Sequence, residues 1–249
     1  MPLSIRQFPC LSDNYGFLVR DDGTGRVAVI DTPDADAILA DLEASGWGRL
    51  DFIFNTHWHP DHAGGNARLK AETGCEIAGP EEVRRIAPLD RVIAAGDQLA
   101  LGDTTFDVLD VGGHTLGHIA LWSPGDGVAF VGDSLFALGC GRMFEGTPDQ
   151  MWAGLQRLAE LPAETVVYCA HEYTASNARF ALSVDSDPAV RLRADAIFAA
   201  RERGEPTVPT TIGQEVATNP FLRAPRLRPE LSPVEAFAAL RAAKDGFRG

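Results

Sequence analysis

Short apolar, β-branched runs alternate with turn residues along the first two-thirds of the chain. Runs at Ile5–Phe8, Tyr15–Val19, Val27–Ile30, Phe52–Asn55, Glu76–Ala78, Phe106–Val111, Ile119–Trp122, Val128–Val131 and Val166–Cys169 have the length and residue types of strands. Between some of them lie segments with helical spacing: Ala35–Ala44, His62–Thr73 and Gln150–Leu161. This mixture predicts sheets covered by helices, an α/β chain rather than a pure sandwich.

The pattern changes near Tyr173. Ala175–Ser183 and Pro188–Arg203 read as helices, a proline-rich connector runs from Pro206 to Pro229, and SPVEAFAALRAAKDG closes the chain as a well-marked helix. Ser232 and Glu235 form a capping box, Pro233 fits the first turn, and Gly246 ends it. The expected division is therefore an α/β domain over residues 1–173 and a smaller helical region over residues 174–249.

Charge and composition narrow the partners. With 22 basic and 35 acidic residues the formal charge is −13, and the overall field repels nucleic acid and anionic membrane surfaces. No apolar run approaches the ~18 residues of a membrane span, and MPLSIRQFPC lacks the basic and apolar regions of a secretory signal. Cys10, Cys75, Cys140 and Cys169 are widely spaced without a CxxC pair. They read as reduced thiols of a cytoplasmic protein, and nothing in the sequence demands more than a monomer.

The chemistry concentrates in THWHPDHAGG. His57, His59, Asp61 and His62 fall within six positions, directly after a strand-like run, and take half of the chain's six histidines. Pro60 discourages a helical conformation at His59 and holds this loop open, while Asp61 and His62 precede the helical stretch that starts at Ala63. Imidazole and carboxylate are ligands of zinc and of divalent iron or manganese. Adjacent residues point in diverging directions, so four such groups suit two ions better than one. Further candidates stand at the ends of other strands: His114, Asp133 and His171. These seven groups, with a carboxylate such as Asp133 able to bridge, match what two ions require. His118, four residues after His114, reads as a supporting hydrogen-bond donor rather than a ligand.

At these residues the chain resembles the metallo-β-lactamase superfamily, whose fold is an αββα sandwich with a dinuclear site at one edge. THWHPDHAGG, VAVIDTP, GGHTLGHIA and FVGDSLF are similar to its segments. LSDNYGFLV, GDSLFALGCGRMFEGT, CAHEYTASNARFA, NPFLR and RAAKDGF resemble one branch more specifically, glyoxalase II, the hydroxyacylglutathione hydrolases. The resemblance covers nearly the whole chain. It implies one metal on His57, His59 and His114, and a second on Asp61, His62 and His171, with Asp133 bridging. It also implies that Asp31 supports the metal loop by hydrogen bonding.

The same resemblance implies glutathione contacts at Arg142, Phe144, Tyr173, Arg241 and Lys244. Arg241 and Lys244 are three apart, which places them on one helical face. Phe144 stands where some members have tyrosine, and Leu116 where the family often has proline. The implied reaction is hydrolysis of S-D-lactoylglutathione and related 2-hydroxyacylglutathiones to D-lactate and glutathione, the second step of methylglyoxal detoxification. Hydroxide generated between two divalent ions, zinc first with iron or manganese as alternatives, is the nucleophile, and Asp61 and Asp133 are the carboxylates placed in the catalytic set. The alternative is a persulfide dioxygenase acting on glutathione persulfide with a single iron. The complete second ligand set and the long helical C-terminus argue against it, and the acidic charge argues against a nuclease.

Overall fold

The computed structural model describes residues 3–249 and divides them into two compact units. The first runs to Asp110 and resumes at Gly117–Gly132; the second comprises Val111–Leu116 and Asp133–Gly249.

In the first unit, β1 (Leu3–Cys10), β2 (Asn14–Asp21), β3 (Val27–Ile30), β4 (Phe52–Phe54), β5 (Glu76–Gly79) and β6 (Arg91–Val92) form one sheet in that order. β1, β2 and β3 are antiparallel, and β3 through β6 are parallel. β7 (Gln98–Leu101), β8 (Thr104–Asp110), β9 (Ile119–Ser123) and β10 (Val128–Gly132) make an antiparallel run. Residue alternation decides which face each side chain takes. Leu18, Val27, Val29, Ile53 and Ile77 pack with Ile38 and Leu42 of α1 (Ala35–Ser45) and Leu69 of α3 (Asn66–Thr73). Their neighbours Phe17 and Phe54 turn the other way, against Phe130 at 5.7 Å and Phe106 at 6.3 Å. Both faces of the first sheet are thus dry, which is why its central strands read as continuous apolar runs.

In the second unit, β11 (Leu135–Phe136) and β12 (Gly139–Cys140) form a small hairpin, followed by α4 (Pro148–Ala159). β13 (Val166–Cys169) pairs antiparallel with β14 (Thr210–Thr211). α5 (Thr174–Val184) and α6 (Pro188–Glu202) share a core of Ala178, Ala181, Val190, Ala194 and Ile197 around Leu138. α7 (Ile212–Thr218), α8 (Ala224–Leu227) and α9 (Pro233–Gly246) complete the chain. The Ser232–Glu235 capping box forms as the sequence predicts.

Four features differ from the sequence reading. The helix expected over His62–Thr73 is two helices, α2 (Pro60–Ala63) and α3, broken at Gly64–Gly65. A side chain at Gly65 would meet the Thr32 carbonyl at 2.9 Å, so this close approach requires glycine. Asp61 and His62 therefore lie inside α2 rather than ahead of a helix. The proline-rich connector contains β14, α7 and α8, hidden because its anchor is polar. Glu215 is fully buried, and its carboxylate accepts from Leu138 N at 2.9 Å, Thr210 Oγ1 at 2.6 Å, Asn219 Nδ2 at 2.9 Å and Arg193. Lastly, β6 and β7 went unpredicted, although Gln98–Leu101 shows the alternating burial of a one-faced strand.

Candidate metal centre and substrate cavity

Asp31, at the end of β3, has a positive φ of 59° and turns its carboxylate onto the loop after β4. Its Oδ1 accepts Thr56 N–H at 2.8 Å. Its Oδ2 accepts both the Thr56 hydroxyl and His62 Nδ1–H, each at 2.8 Å. With its proton given to Asp31, the Thr56 oxygen accepts from His57 Nδ1 at 3.0 Å. One buried carboxylate therefore fixes the tautomer of two imidazoles and leaves each Nε2 as the lone-pair nitrogen. Asp31 lies within ligand distance of His57 and His62. Three donors already occupy it, so it orients the two imidazoles rather than offering itself to a metal.

His57 Nε2 faces His59 Nδ1 at 3.0 Å, and the His57 and His62 rings are 4.0 Å apart. Asp61 accepts from Asn14 Nδ2 at 3.1 Å, and its Oδ2 lies 3.7 Å from His62 Nε2. His118 is fully buried and stacks on His57 with centroids 4.5 Å apart at 19°, a packing position. The four expected donors of THWHPDH are thus gathered in the first unit. Asn14 and Thr56 were not singled out by spacing, and only the fold brings Asn14 to Asp61.

In the second unit His114, in the turn after β8, and Asp133, just ahead of β11, come together. His114 Nδ1–H donates to the Arg142 carbonyl at 2.9 Å, which leaves Nε2 facing Asp133 Oδ2 at 3.3 Å. His171 Nε2 lies 3.3 Å from the other oxygen, Oδ1. Two ligands on one tetrahedral zinc, each at about 2.0–2.1 Å, stand about 3.3 Å apart. These spacings, with nitrogen and carboxylate donors, fit a divalent metal, and Asp133 presents a separate oxygen to each imidazole. The Tyr173 ring stacks on His171 at 4.6 Å and 3°, and Phe136 meets both rings edge-on.

A cavity of about 450 Å³ opens beside these groups, lined by His114, Asp133, Arg142, Phe144, Tyr173, Arg241 and Lys244 among others. All five substrate contacts implied by the resemblance are on its wall, but they are not alike. Arg142 is largely exposed, and Phe144 is 62% exposed, with its ring 5.2 Å from His114. Lys244 is half-buried; its Nζ donates to Ser176 O and Oγ at 3.0 Å each. Burial, and then the nearby Arg241 and Arg142, push its ammonium down to about 8. Arg241 is only 3% exposed, with Nη1 donating to the Cys140 carbonyl at 2.8 Å and Nη2 to Asp245 at 2.9 Å. Cys140 is buried, and burial raises its thiol to about 11, the state of a packing residue rather than a nucleophile.

All four cysteines are free and buried. Among the described residues no helix is long and apolar enough to cross a membrane.

Comparison with known proteins accords with this picture. The family model described as "Metallo-beta-lactamase superfamily" matches residues 12–171, and "Hydroxyacylglutathione hydrolase C-terminus" matches residues 172–247. A hydroxyacylglutathione hydrolase of Erythrobacter litoralis is 55% identical over 98% of this chain and 100% of its own length. One of Maricaulis maris is 53% identical over 98% and 99%. Among solved structures, ETHE1 from Myxococcus xanthus superposes with a TM-score of 0.72 at 25% identity, covering 96% of this chain and 90% of its own. TTHA1623 in a di-iron-bound form gives 0.63 at 26% identity, over 88% and 100%. Two sheets with helices, an αββα superfamily domain and a helical C-terminal region, carry imidazole and carboxylate groups suited to divalent metal. The chain belongs to the hydroxyacylglutathione hydrolase, or glyoxalase II, family of the metallo-β-lactamase superfamily.

Proposed function

We propose that this chain hydrolyses the thioester of S-D-lactoylglutathione and related 2-hydroxyacylglutathiones, releasing the hydroxy acid and glutathione. The observation that carries the reading is the end-to-end likeness to hydroxyacylglutathione hydrolases at about half identity, through both the metal domain and the helical C-terminus. In this proposal His57, His59 and His114 would hold one ion, Asp61, His62 and His171 would hold a second, and Asp133 would be shared between them. Zinc is the preferred metal, with iron or manganese acceptable to the same donors. When bound, the ions supply Lewis acidity, which means hydroxide at neutral pH and a polarised thioester carbonyl.

The protein groups do the rest. Asp61, steadied by Asn14, orients the attacking water or accepts its proton. Arg142, Arg241 and Lys244 form the cationic wall that receives the carboxylates of glutathione, with Tyr173 and Phe144 bounding the thiol end of the cavity. The glutathione thiolate is a good leaving group, so the site needs no dedicated general acid. We further assign the metal domain to residues 1–173 and the substrate domain to residues 174–249, a division supported by the extents of the two family matches. The chain is read as a cytoplasmic monomer.

The test is hydrolysis of S-D-lactoylglutathione, followed as loss of thioester absorbance, with metal content measured on the same sample. Hydrolysis that disappears on chelation, with about two ions per chain, is the expected result. Full metal loading without hydrolysis would overturn the substrate assignment, and oxygen consumption with glutathione persulfide would then replace it.

A further inference from the structure

Asp245 is an acidic residue on the wall of a cavity whose other charged lining groups, apart from Asp133, are cations. It stands in the last turn of α9, where the helix dipole offers a carboxylate no support. A carboxylate so placed would repel an anionic ligand unless it had another task. Its geometry supplies one. Oδ1 accepts from Arg241 Nη2 at 2.9 Å and lies 3.8 Å from Arg142 Nε. Arg241 is held on several sides: it is 3% exposed, its Nη1 is bound to the Cys140 carbonyl, and its guanidinium lies 5.0 Å over the Phe221 ring. Arg142 is the opposite case, with a side chain 66% exposed and Asp245 as its ion-pair partner.

We propose that Asp245 is a positioning residue: it ties the exposed guanidinium of Arg142 to the buried, hydrogen-bonded one of Arg241 and so aims Arg142 into the cavity before an anionic ligand arrives. Ordering a long side chain on binding weakens affinity, and fixing it beforehand removes that loss. The same shared oxygen offsets part of the repulsion between the two guanidinia. The effect runs through Arg142 and touches ligand affinity, not the reacting atoms. The inference rests on the proposed glutathione reading for the identity of the anion.

A double-mutant cycle tests it. Asp245→Asn should raise KM for S-D-lactoylglutathione about 3–10-fold with kcat within twofold, and Asp245→Glu should recover part of the loss. In an Arg142→Ala background the same Asp245→Asn change should have no further effect. An Asp245→Asn variant with lower KM would mean that the carboxylate competes with the ligand for the cations, and would overturn the proposal. So would an equal KM change in both backgrounds, which marks a general role in α9. Should Asp245→Asn not fold, Asp245→Ser is read in the same cycle. The cycle is repeated with the dissociation constant of glutathione itself, measured calorimetrically on the metal-loaded protein. If no thioester is hydrolysed but glutathione binding follows the cycle, the reaction assigned above fails while the role of Asp245 stands.

Discussion

His62 Nδ1 donates to Asp31 Oδ2 at 2.8 Å, and the same oxygen accepts the Thr56 hydroxyl that in turn supports His57. The two imidazoles are oriented by one buried carboxylate, so a change there disturbs both at once. Asparagine tolerates the positive φ that Asp31 adopts, which makes Asp31→Asn the clean substitution. Its neutral amide cannot serve as acceptor for all three donors. We expect metal affinity to fall about 10–100-fold, the usual cost of losing such a support, with far-UV circular dichroism unchanged. Competition with a chromophoric chelator measures this, and wild-type affinity would remove Asp31 from the orienting role.

Arg241 and Lys244 share a helix face and a cavity wall, yet removing them should have different consequences. Arg241 donates to a buried carbonyl, and Arg241→Ala leaves that acceptor without its partner, at about 1–3 kcal/mol. For a chain of this size each kcal/mol is worth about 2–4 °C in Tm, so the midpoint should fall several degrees. Lys244 keeps its charge at neutral pH against the cost of partial burial, so Lys244→Ala should leave Tm nearly unchanged while raising KM. Thermal melts and kinetics on the two variants separate the roles, and equal Tm losses would contradict the distinction.

Lys244 also sets a pH limit. Burial lowers its ammonium to about 8, so in the free protein it is charged below that pH and neutral above it. A bound carboxylate stabilises the charged form and raises the value again. Affinity for an anionic ligand is therefore complete below pH 8 and falls by up to tenfold per unit above it, until the bound form titrates as well. In kcat/KM, which reports the free enzyme, this appears as a descending limb beginning near pH 8. Lys244→Arg, charged throughout, should flatten that limb, and a limb that persists unchanged must belong to another group.

How far the sequence carried these conclusions depends on the kind of interaction. The grouping of the THWHPDH side chains, and that of His114 with Asp133 and His171, is suggested by the sequence because imidazole and carboxylate residues at strand ends are what a metal site would require. The nine strands named from the sequence form because their apolar residues face dry layers on both sides or in alternation. Asn14 was not legible, since its contact with Asp61 spans 47 residues and rests on tertiary placement alone. The Pro206–Pro229 segment hid two helices because its anchor, Glu215, is a buried carboxylate satisfied by four partners, and hydrophobic periodicity is silent about such networks. Arg241 and Lys244 had the same spacing signal, and only burial shows that one guanidinium is committed to backbone and a partner carboxylate.

Phe144 offers the last test, because it is the one cavity residue whose side chain lacks a polar atom where some family members carry a tyrosine. Its ring is 62% exposed at the cavity wall and 5.2 Å from His114, while its backbone N–H is tied to the His114 carbonyl at 3.3 Å. The backbone and one side of the ring are both set against His114, and Phe144→Tyr adds a hydroxyl at the cavity wall. A hydrogen bond from that hydroxyl to the ligand contributes about 0.5–1.5 kcal/mol net, which is roughly 2–10-fold in affinity. KM for S-D-lactoylglutathione should fall by that factor with kcat and metal content unchanged, since the ring touches His114 but holds no metal. An unchanged KM would mean that the ligand lies out of reach of the new hydroxyl, and that Phe144 only shields the imidazole. A fall in kcat instead would mean that the ring governs the His114 orientation, which metal titration of the same variant would register.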